Sequence, residues 1–226
     1  SRCKIRSFIY LGDSQDSILI DGNYFENPGY DFQTLASYDY NNITLRNNVF
    51  NGQIYQFYPS TSSGNNLYIY NNLFLVDGYA FAGSNRYLIF RNNIFYRADP
   101  NSAMSSSDFD YNLIYKAHYT VNTFPSSGNT VGSHNLNNVD PKFVTFPANG
   151  DYYSYAYDFN LQSTSTAINA GSDGKDVGLT GGDGYFQPFG IPNIPQINQF
   201  SITTPANATI APGGNLQISV KSSIAR

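Results

Sequence analysis

Residues 67–74 read LYIYNNLF, and the chain repeats this pattern along more than a third of its length. Each copy alternates apolar and polar residues and then ends in Asn and an aromatic or apolar residue. The other copies are 18–25 (ILIDGNYF), 43–50 (ITLRNNVF), 88–95 (LIFRNNIF) and the less regular 109–115 (FDYNLIY). The last Asn of each copy falls at positions 23, 48, 72, 93 and 112. Self-similarity at this period is typical of proteins that stack one repeat on the next.

The first half of each copy predicts a β-strand. Ile43 and Leu45 fall on one face and Thr44 on the other, which is the period of a strand and not of a helix. One such strand cannot bury its apolar face alone, so successive repeats must stack around a common core. The pattern therefore predicts an all-β fold, a right-handed parallel β-helix. A β-sandwich is the structural rival, because short strands between turns also suit that fold.

The recurring Asn and Phe predict two stacks inside the helix. Asn tolerates the left-handed backbone of a sharp bend, and its amide can bond to an identical Asn about 4.8 Å away in the next coil. The Phe two positions later would also point inward. The predicted Asn ladder comprises Asn23, Asn48, Asn72, Asn93 and Asn112, and the predicted aromatic stack comprises Phe25, Phe50, Phe74 and Phe95.

Composition indicates a secreted or cell-surface β-protein. The 226 residues include 20 Tyr and 17 Phe, and only 12% are charged. A net charge of −4 disfavours nucleic acid as a partner. No apolar run approaches the roughly 20 residues that a membrane span requires. Cys3 is the only cysteine, so an internal disulfide is excluded, and a bond to an upstream segment or another chain is the alternative to a free thiol.

The chain divides into three predicted parts. Residues 1–180 form the coils, 181–195 a Gly/Pro-rich linker, and 196–226 a β-hairpin tail. The tail is too small to be stable alone, so we expect it to pack on the solenoid or on a neighbour. No amphipathic helix precedes the first coil, and we expect an upstream segment or a partner chain to cover it.

Three segments after the repeats resemble a known family. They are 138–144 (NVDPKFV), 158–162 (DFNLQ) and 165–171 (STAINAG). This series resembles the closing coils of secreted bacterial right-handed parallel β-helix proteins, the pectate-lyase-like superfamily. The resemblance implies the fold and secretion. It implies no single reaction, because that superfamily includes lyases, hydrolases, isomerases, tailspikes and adhesins.

The outward side of the repeated strand is the predicted ligand-binding face. Tyrosine rings cover the apolar faces of sugars, while Arg and Asp bond to hydroxyls or carboxylates. The residues predicted to bind a ligand are Arg46, Tyr68, Tyr70, Arg91, Asp108 and Asp110. The structural alternative is that these charges and rings only hold the register of the stack, with Arg91 beside Asp110.

No catalytic residue, cofactor or metal ligand is predicted. His118 and His134 lack the spacing of a zinc site, and the glycine-rich stretch 172–184 fits no calcium-binding loop. Asp108 and Asp110 would lie about 6.6 Å apart, a distance that could suit a pair of hydrolase carboxylates.

The sequence predicts a secreted scaffold or adhesive module that contacts polysaccharide without catalysis. One alternative is an enzyme, either a hydrolase or a lyase acting on acidic glycans. In the lyase, Arg46 or Arg91 would neutralise a uronate and Tyr70 would move the proton. The other alternative is a subunit of a fibre or larger surface assembly.

Overall fold

Every regular element in the described part of the chain is a β-strand. The computed structural model describes residues 4–7, 9–12, 15–26, 29–34, 40–57, 67–100, 103–119, 122–147, 154, 157–182, 196–202 and 218–223. Cys3 and most of the predicted linker lie outside these ranges. The chain divides into two compact units, residues 1–189 and 190–226. No helix in the described ranges has the length and hydrophobicity of a membrane span.

The strands are short, as expected for a chain that bends several times in each coil. In chain order they are β1 (Lys4–Ile5), β2 (Ile9–Leu11), β3 (Gln15–Asp16), β4 (Leu19–Asp21), β5 (Tyr24–Phe25), β6 (Tyr30–Thr34), β7 (Tyr40–Asn41), β8 (Ile43–Arg46), β9 (Val49–Phe50), β10 (Gln53–Tyr55), β11 (Leu67–Tyr70), β12 (Leu73–Phe74), β13 (Gly78–Tyr79), β14 (Phe81–Ala82), β15 (Leu88–Arg91), β16 (Ile94–Tyr96), β17 (Ala98–Asp99), β18 (Asp108–Asp110), β19 (Leu113–Tyr115), β20 (Thr130–Val131), β21 (Leu136–Asn137), β22 (Phe143–Thr145), β23 (Asp158–Leu161), β24 (Gln196–Ile202) and β25 (Ile218–Ser223).

Three large parallel sheets form the solenoid, because equivalent strands of successive coils lie one above another, and β3–β7 and β13–β17 form two further parallel pairs. Sheet 1 has six strands in the order β4-β8-β11-β15-β18-β20, and sheet 2 has seven in the order β1-β5-β9-β12-β16-β19-β21. Sheet 3 has four strands in the order β2-β6-β10-β14. The fold is a parallel β-solenoid of about five turns, which confirms the predicted fold class. Crossovers between parallel strands are right-handed in nearly all proteins, the hand expected here.

The core lies inside the coils, where alternate residues of sheet 1 meet the aromatic stack of sheet 2. In β11, Leu67 and Ile69 are fully buried, whereas Tyr68 and Tyr70 are half-buried on the outward side. β8 and β15 have the same pattern. The rings of Phe25, Phe50, Phe74 and Phe95 stack in turn, with centroids 4.8, 5.3 and 4.6 Å apart. Each such aromatic pair adds about 0.5–1.5 kcal/mol to the stabilisation that burial provides.

A ladder of asparagine amides runs through the stack. Oδ1 of Asn48 accepts bonds from the backbone N and the side-chain Nδ2 of Asn23, at 2.9 and 3.3 Å. Oδ1 of Asn72 binds Asn48 in the same way, at 3.0 and 3.2 Å. The same pair of bonds recurs between Asn72 and Asn93, Asn93 and Asn112, and Asn112 and Asn135. The coils are therefore joined by side-chain bonds as well as by the backbone bonds of the sheets.

The ladder asparagines do not adopt the left-handed backbone conformation, so that prediction is wrong. The residue before each ladder Asn does, with φ of 52° at Asn47, 54° at Asn71 and 59° at Asn92. Gly22 and Tyr111 occupy the equivalent position and also have positive φ. Only one residue of the bend needs this conformation, and Asn is among the non-glycine residues that adopt it most readily. The two asparagines of each pair therefore have different roles.

The described parts of residues 138–182, here called the return segment, pack on the outer face of sheet 2 and do not extend the parallel stack. Within the segment, β22 and β23 pair antiparallel. Phe143, Phe159, Val177 and Leu179 are buried in a cluster with outward residues of sheet 2, including Leu73. This second apolar cluster explains the near-continuous apolar character of strands such as Ile94–Tyr96, because both faces of sheet 2 are covered.

The unit of residues 190–226 contains the antiparallel pair β24–β25. Ile202 pairs with Ile218, and Gln196 pairs with Ser223 at the other end of the two strands. This agrees with the predicted hairpin-like tail. Its packing on the solenoid or on a neighbour stays a prediction.

Candidate functional site

A groove of about 270 Å³ lies between the outward side of sheet 1 and the return segment. Its sheet 1 side comes from the residue that ends each of three successive strands and from the Asn that follows it. Its other side comes from the return segment. The residues that line the groove are Arg46, Asn47, Tyr70, Asn71, Arg91, Asn92, Ser172, Asp173 and Gly182. Three of the predicted ligand-binding residues, Arg46, Tyr70 and Arg91, therefore meet in one place.

The parallel register places Tyr70 between two arginines. Tyr70 pairs with Arg46 on one side and with Arg91 on the other. Neighbouring strands in a sheet lie about 4.8 Å apart, so the three side chains form a short row. Each guanidinium also binds a carboxylate: Arg46 Nη2 lies 3.1 Å from Asp21 Oδ2, and Arg91 Nη2 hydrogen-bonds to Asp108 Oδ2. The row therefore combines an aromatic ring with two guanidinium groups, each of which is paired with an aspartate.

Tyr70 is suited to contact a ligand and not to transfer a proton at neutral pH. Burial, together with the neighbouring Tyr68 and the more distant Asp108, raises the pKa of Tyr70 to about 12, although Arg91 acts in the opposite direction. A general acid or base works best when its pKa lies near the operating pH. The ring of Tyr68 lies 5.3 Å from that of Tyr70, so the aromatic surface extends along β11 beyond the groove lining.

The second wall of the groove is held by the asparagines with positive φ. Asn92 Oδ1 accepts a bond from Ser172 N at 2.8 Å, and Asn71 Nδ2 donates to Gly178 O at 3.2 Å. Asn47 Nδ2 donates to the carbonyl oxygens of Leu179 and Gly181, at 3.2 and 3.1 Å. The return segment thus passes the coils in reverse order, and each coil supplies one amide to bind it.

Two residues of the lining each have a polar atom without a hydrogen-bond partner. Among the described residues, these atoms are Nε of Arg46 and Oδ1 of Asn47, and both are buried. Buried polar atoms without partners are uncommon because each costs about 1–3 kcal/mol. Here one atom is a donor and the other an acceptor.

Asp108 and Asp110 lie on one strand as predicted, but they have different partners. The register places Arg91 beside Asp110 on the neighbouring strand, as predicted, but the salt bridge of Arg91 is made with Asp108. Asp110 instead lies 3.1–3.2 Å from Nδ1 of His134 and accepts a bond from His134 N at 3.0 Å. Burial raises the pKa of Asp110, but the hydrogen bonds from His134 and Tyr111 outweigh that effect and hold it below its usual value. The two carboxylates do not line the groove.

The two histidines contact different carboxylates. The ring of His134 also stacks on Tyr111, with centroids 4.3 Å apart. His118 Nδ1 lies 2.7 Å from Asp77 Oδ1, and Asp77 also binds Arg97 at 2.8 Å. In the described ranges, no group of three or more His, Cys, Asp or Glu side chains forms a potential metal site.

Sequence reasoning missed the return-segment side of the groove and the sixth rung of the ladder. Ser172, Asp173 and Gly182 lie in a stretch that the composition identifies only as turns. Asn135 follows Asn112 at a spacing within the repeat period and precedes Leu136, and that signal could have identified it. The Asn that precedes three of the ladder asparagines, at 47, 71 and 92, was also visible, but its role requires a partner that lies far away in the sequence.

No model of a known protein family matches this chain, and no curated protein matches it closely enough to indicate a relative.

Proposed function

We propose that this chain is a non-catalytic glycan-binding module of a secreted or cell-surface protein, with the groove along Arg46, Tyr70 and Arg91 as its binding site. The observation that carries the proposal is the half-buried Tyr70 between two arginines, opposite a wall formed by Ser172, Asp173 and Gly182. A Tyr ring covers the apolar face of a sugar, and the polar groups around it can bond to the hydroxyls at the rim of that sugar.

The charges of the groove favour an uncharged glycan. Each arginine is already bonded to a carboxylate, Asp21 or Asp108. Asp173 adds a negative charge to the opposite wall, and Lys175, whose Nζ donates to Gly182 O at 3.1 Å, adds a positive charge. A uronate would have to compete with aspartates for both guanidinium groups, whereas sugar hydroxyls can bond to such pairs without displacing them.

Placement among secreted β-helix proteins of the pectate-lyase-like kind is part of this proposal. The repeat supports the shared architecture, and the segments 138–144, 158–162 and 165–171 support the resemblance. The lyase alternative is less favoured, because the raised pKa of Tyr70 and the paired arginines leave no group in the row that is poised to take a proton at neutral pH.

A glycan array followed by calorimetry with the best uncharged oligosaccharide tests the proposal. Tyr70→Ala should weaken binding about tenfold or more, because an aromatic anchor is lost. Tyr70→Phe should retain most of the affinity, since the ring remains. Tyr10→Ala is the matched control, because Tyr10 is an exposed tyrosine on sheet 3 and does not line the groove.

Equal loss of affinity in the Tyr70→Ala and Tyr10→Ala proteins would contradict the assignment of the groove. Release of unsaturated oligosaccharides from acidic glycans, abolished by Arg91→Ala, would replace the binding module with a lyase. An array on which the protein binds no glycan would overturn the proposed function as a whole.

A further inference from the structure

A second cleft, of about 420 Å³, has an aromatic floor. The rings of Tyr96, Phe143 and Phe146 lie at the floor, with the Tyr96 and Phe146 centroids 5.0 Å apart and the rings perpendicular. Tyr96 and Phe143 are buried, so the half-buried Phe146 presents most of the aromatic surface of the floor. Phe143 lies 6.0 Å from Tyr96 and 5.9 Å from Phe146. Tyr96 ends a strand of sheet 2, and the two phenylalanines belong to the return segment. The packing of that segment on sheet 2 therefore creates the cleft.

The rim of the cleft is positively charged. Lys116 and Lys142 are both exposed, and Asp140 is the only acidic residue among the lining residues. Nζ of Lys116 lies 5.9 Å from the centre of the Tyr96 ring. Nζ of Lys142 is held above the other side by a bond to Thr164 O at 3.1 Å. Asp140 accepts a bond from Lys142 N at 2.8 Å, so one of its oxygens is already engaged.

Clefts of this size that combine aromatic surface with a few converging polar groups are typical small-ligand sites. The half-buried ring of Phe146 in the floor suits the apolar face of a sugar ring, and Gln162 and Thr164 supply further polar groups for hydroxyls. Two ammonium groups against one carboxylate favour a ligand with a negative charge. We propose that this cleft binds an acidic sugar unit, with its ring on the aromatic floor and its carboxylate at Lys116 and Lys142.

The cleft and the groove have no lining residue in common. They also differ in charge, because the cations of the groove are paired with carboxylates and the ammonium groups of the cleft outnumber its one carboxylate. The two sites therefore bind different sugars under these proposals, an uncharged one in the groove and an acidic one in the cleft. Either proposal can fail without the other.

The test compares a glucuronate trisaccharide with the methyl ester of the same trisaccharide, by calorimetry on the full chain. Esterification removes the charge and keeps the ring, so the ester should bind about tenfold more weakly. The Lys116→Met/Lys142→Met protein should lose a similar factor for the acid and little for the ester. Rising salt should weaken binding of the acid, because exposed charges are screened.

Two controls separate the cleft from other effects. Lys221→Met removes an exposed lysine from the unit of residues 190–226 and should leave the affinity unchanged. Tyr70→Ala should also leave it unchanged, even if that variant loses the uncharged glycan. Thermal unfolding of each variant verifies that it is folded.

Equal affinity for the acid and the ester would overturn the proposal. So would an unchanged affinity for the acid in the folded double-lysine variant, or the absence of binding at millimolar trisaccharide. A loss of acid binding in the Tyr70→Ala protein would assign the acidic sugar to the groove instead of the cleft.

Discussion

At the scale of single residues, the Asn–Asn pair combines two tasks that a single residue could not perform. The first Asn adopts positive φ and directs its amide outward to the return segment. The second directs its amide inward, where Asn72, for example, donates to Leu45 O at 2.8 Å and to Asn93 Oδ1 at 3.0 Å. Asn suits both positions because its amide donates and accepts and its backbone tolerates a left-handed turn.

Loss of one ladder amide should be costly. Asn72→Ala leaves the buried backbone N–H of Asn48 without its acceptor and removes the side-chain donor to Leu45 O, while Asn48 Nδ2 keeps its bond to Ile20 O. Because each buried group without a partner costs about 1–3 kcal/mol, the free energy of unfolding should fall by about 3 kcal/mol or more. Urea titration followed by circular dichroism measures the change. Asn137→Ala is the control, since Asn137 is exposed. Equal effects of the two substitutions would show that the ladder adds nothing to stability.

At the scale of elements, the return segment is fitted closely to sheet 2. Gly178 has φ of 94°, and its N–H donates to Asn92 O at 2.7 Å. A Cβ on Gly178 would lie 2.4 Å from Cδ1 of Ile94. Gly174 has a similar backbone, with φ of 73°, but a Cβ there would have no atom within 4 Å. Gly178 is therefore required both by the close packing and by its left-handed backbone conformation. Gly174 is required by its backbone conformation alone.

Gly178→Ala and Gly174→Ala should thus differ. Both incur the left-handed backbone cost of about 1–2 kcal/mol, but only Gly178→Ala also forces Ile94 or the segment to move. We expect amide hydrogen exchange in residues 165–182 to accelerate strongly in the Gly178→Ala protein and only slightly in the Gly174→Ala protein. The affinity of the groove for glycan should also fall in the Gly178→Ala protein, because Ser172 and Gly182 form one wall of the groove. Similar exchange rates in both variants would contradict the docked position of the segment.

At the scale of the whole molecule, few charges are present, and several of them form pairs that bridge neighbouring coils. Asp110 binds His134 of the next coil, and Glu26 binds Lys4 of the preceding coil at 2.8 Å. The hydrogen bond from Lys4 is the main reason that the pKa of Glu26 lies below its usual value. The pKa of Asp110 is also lowered. The acid stability of the solenoid therefore depends on contacts between coils.

These shifts predict a loss of stability in acid. A carboxyl whose pKa is lowered by folding stabilises the protein above its unfolded-state pKa, about 4, and this contribution disappears as the pH falls through the lower folded value. Between about pH 5 and pH 2, unfolding midpoints should decrease less steeply for Asp110→Asn than for the original chain. His134→Ala should make the unfolding midpoint depend less on pH in the same way. The double variant should differ little from either single variant. An unchanged curve for Asp110→Asn would contradict this assignment.

Local pattern was sufficient to predict the solenoid, since alternation within each copy and the recurrence of Asn and Phe depend only on neighbouring residues and on the period. The same pattern predicted that Arg46, Tyr70 and Arg91 lie in one outward row, because a parallel stack places equivalent residues in register. The second wall of the groove and the aromatic cleft depended on the tertiary structure. Both arise where the return segment meets coils far from it in sequence, as in the bonds of Ser172 to Asn92, 80 residues apart, and of Asn47 to Leu179, 132 residues apart. Contacts at such separations follow from the docking of two surfaces, and no period within the chain encodes that docking.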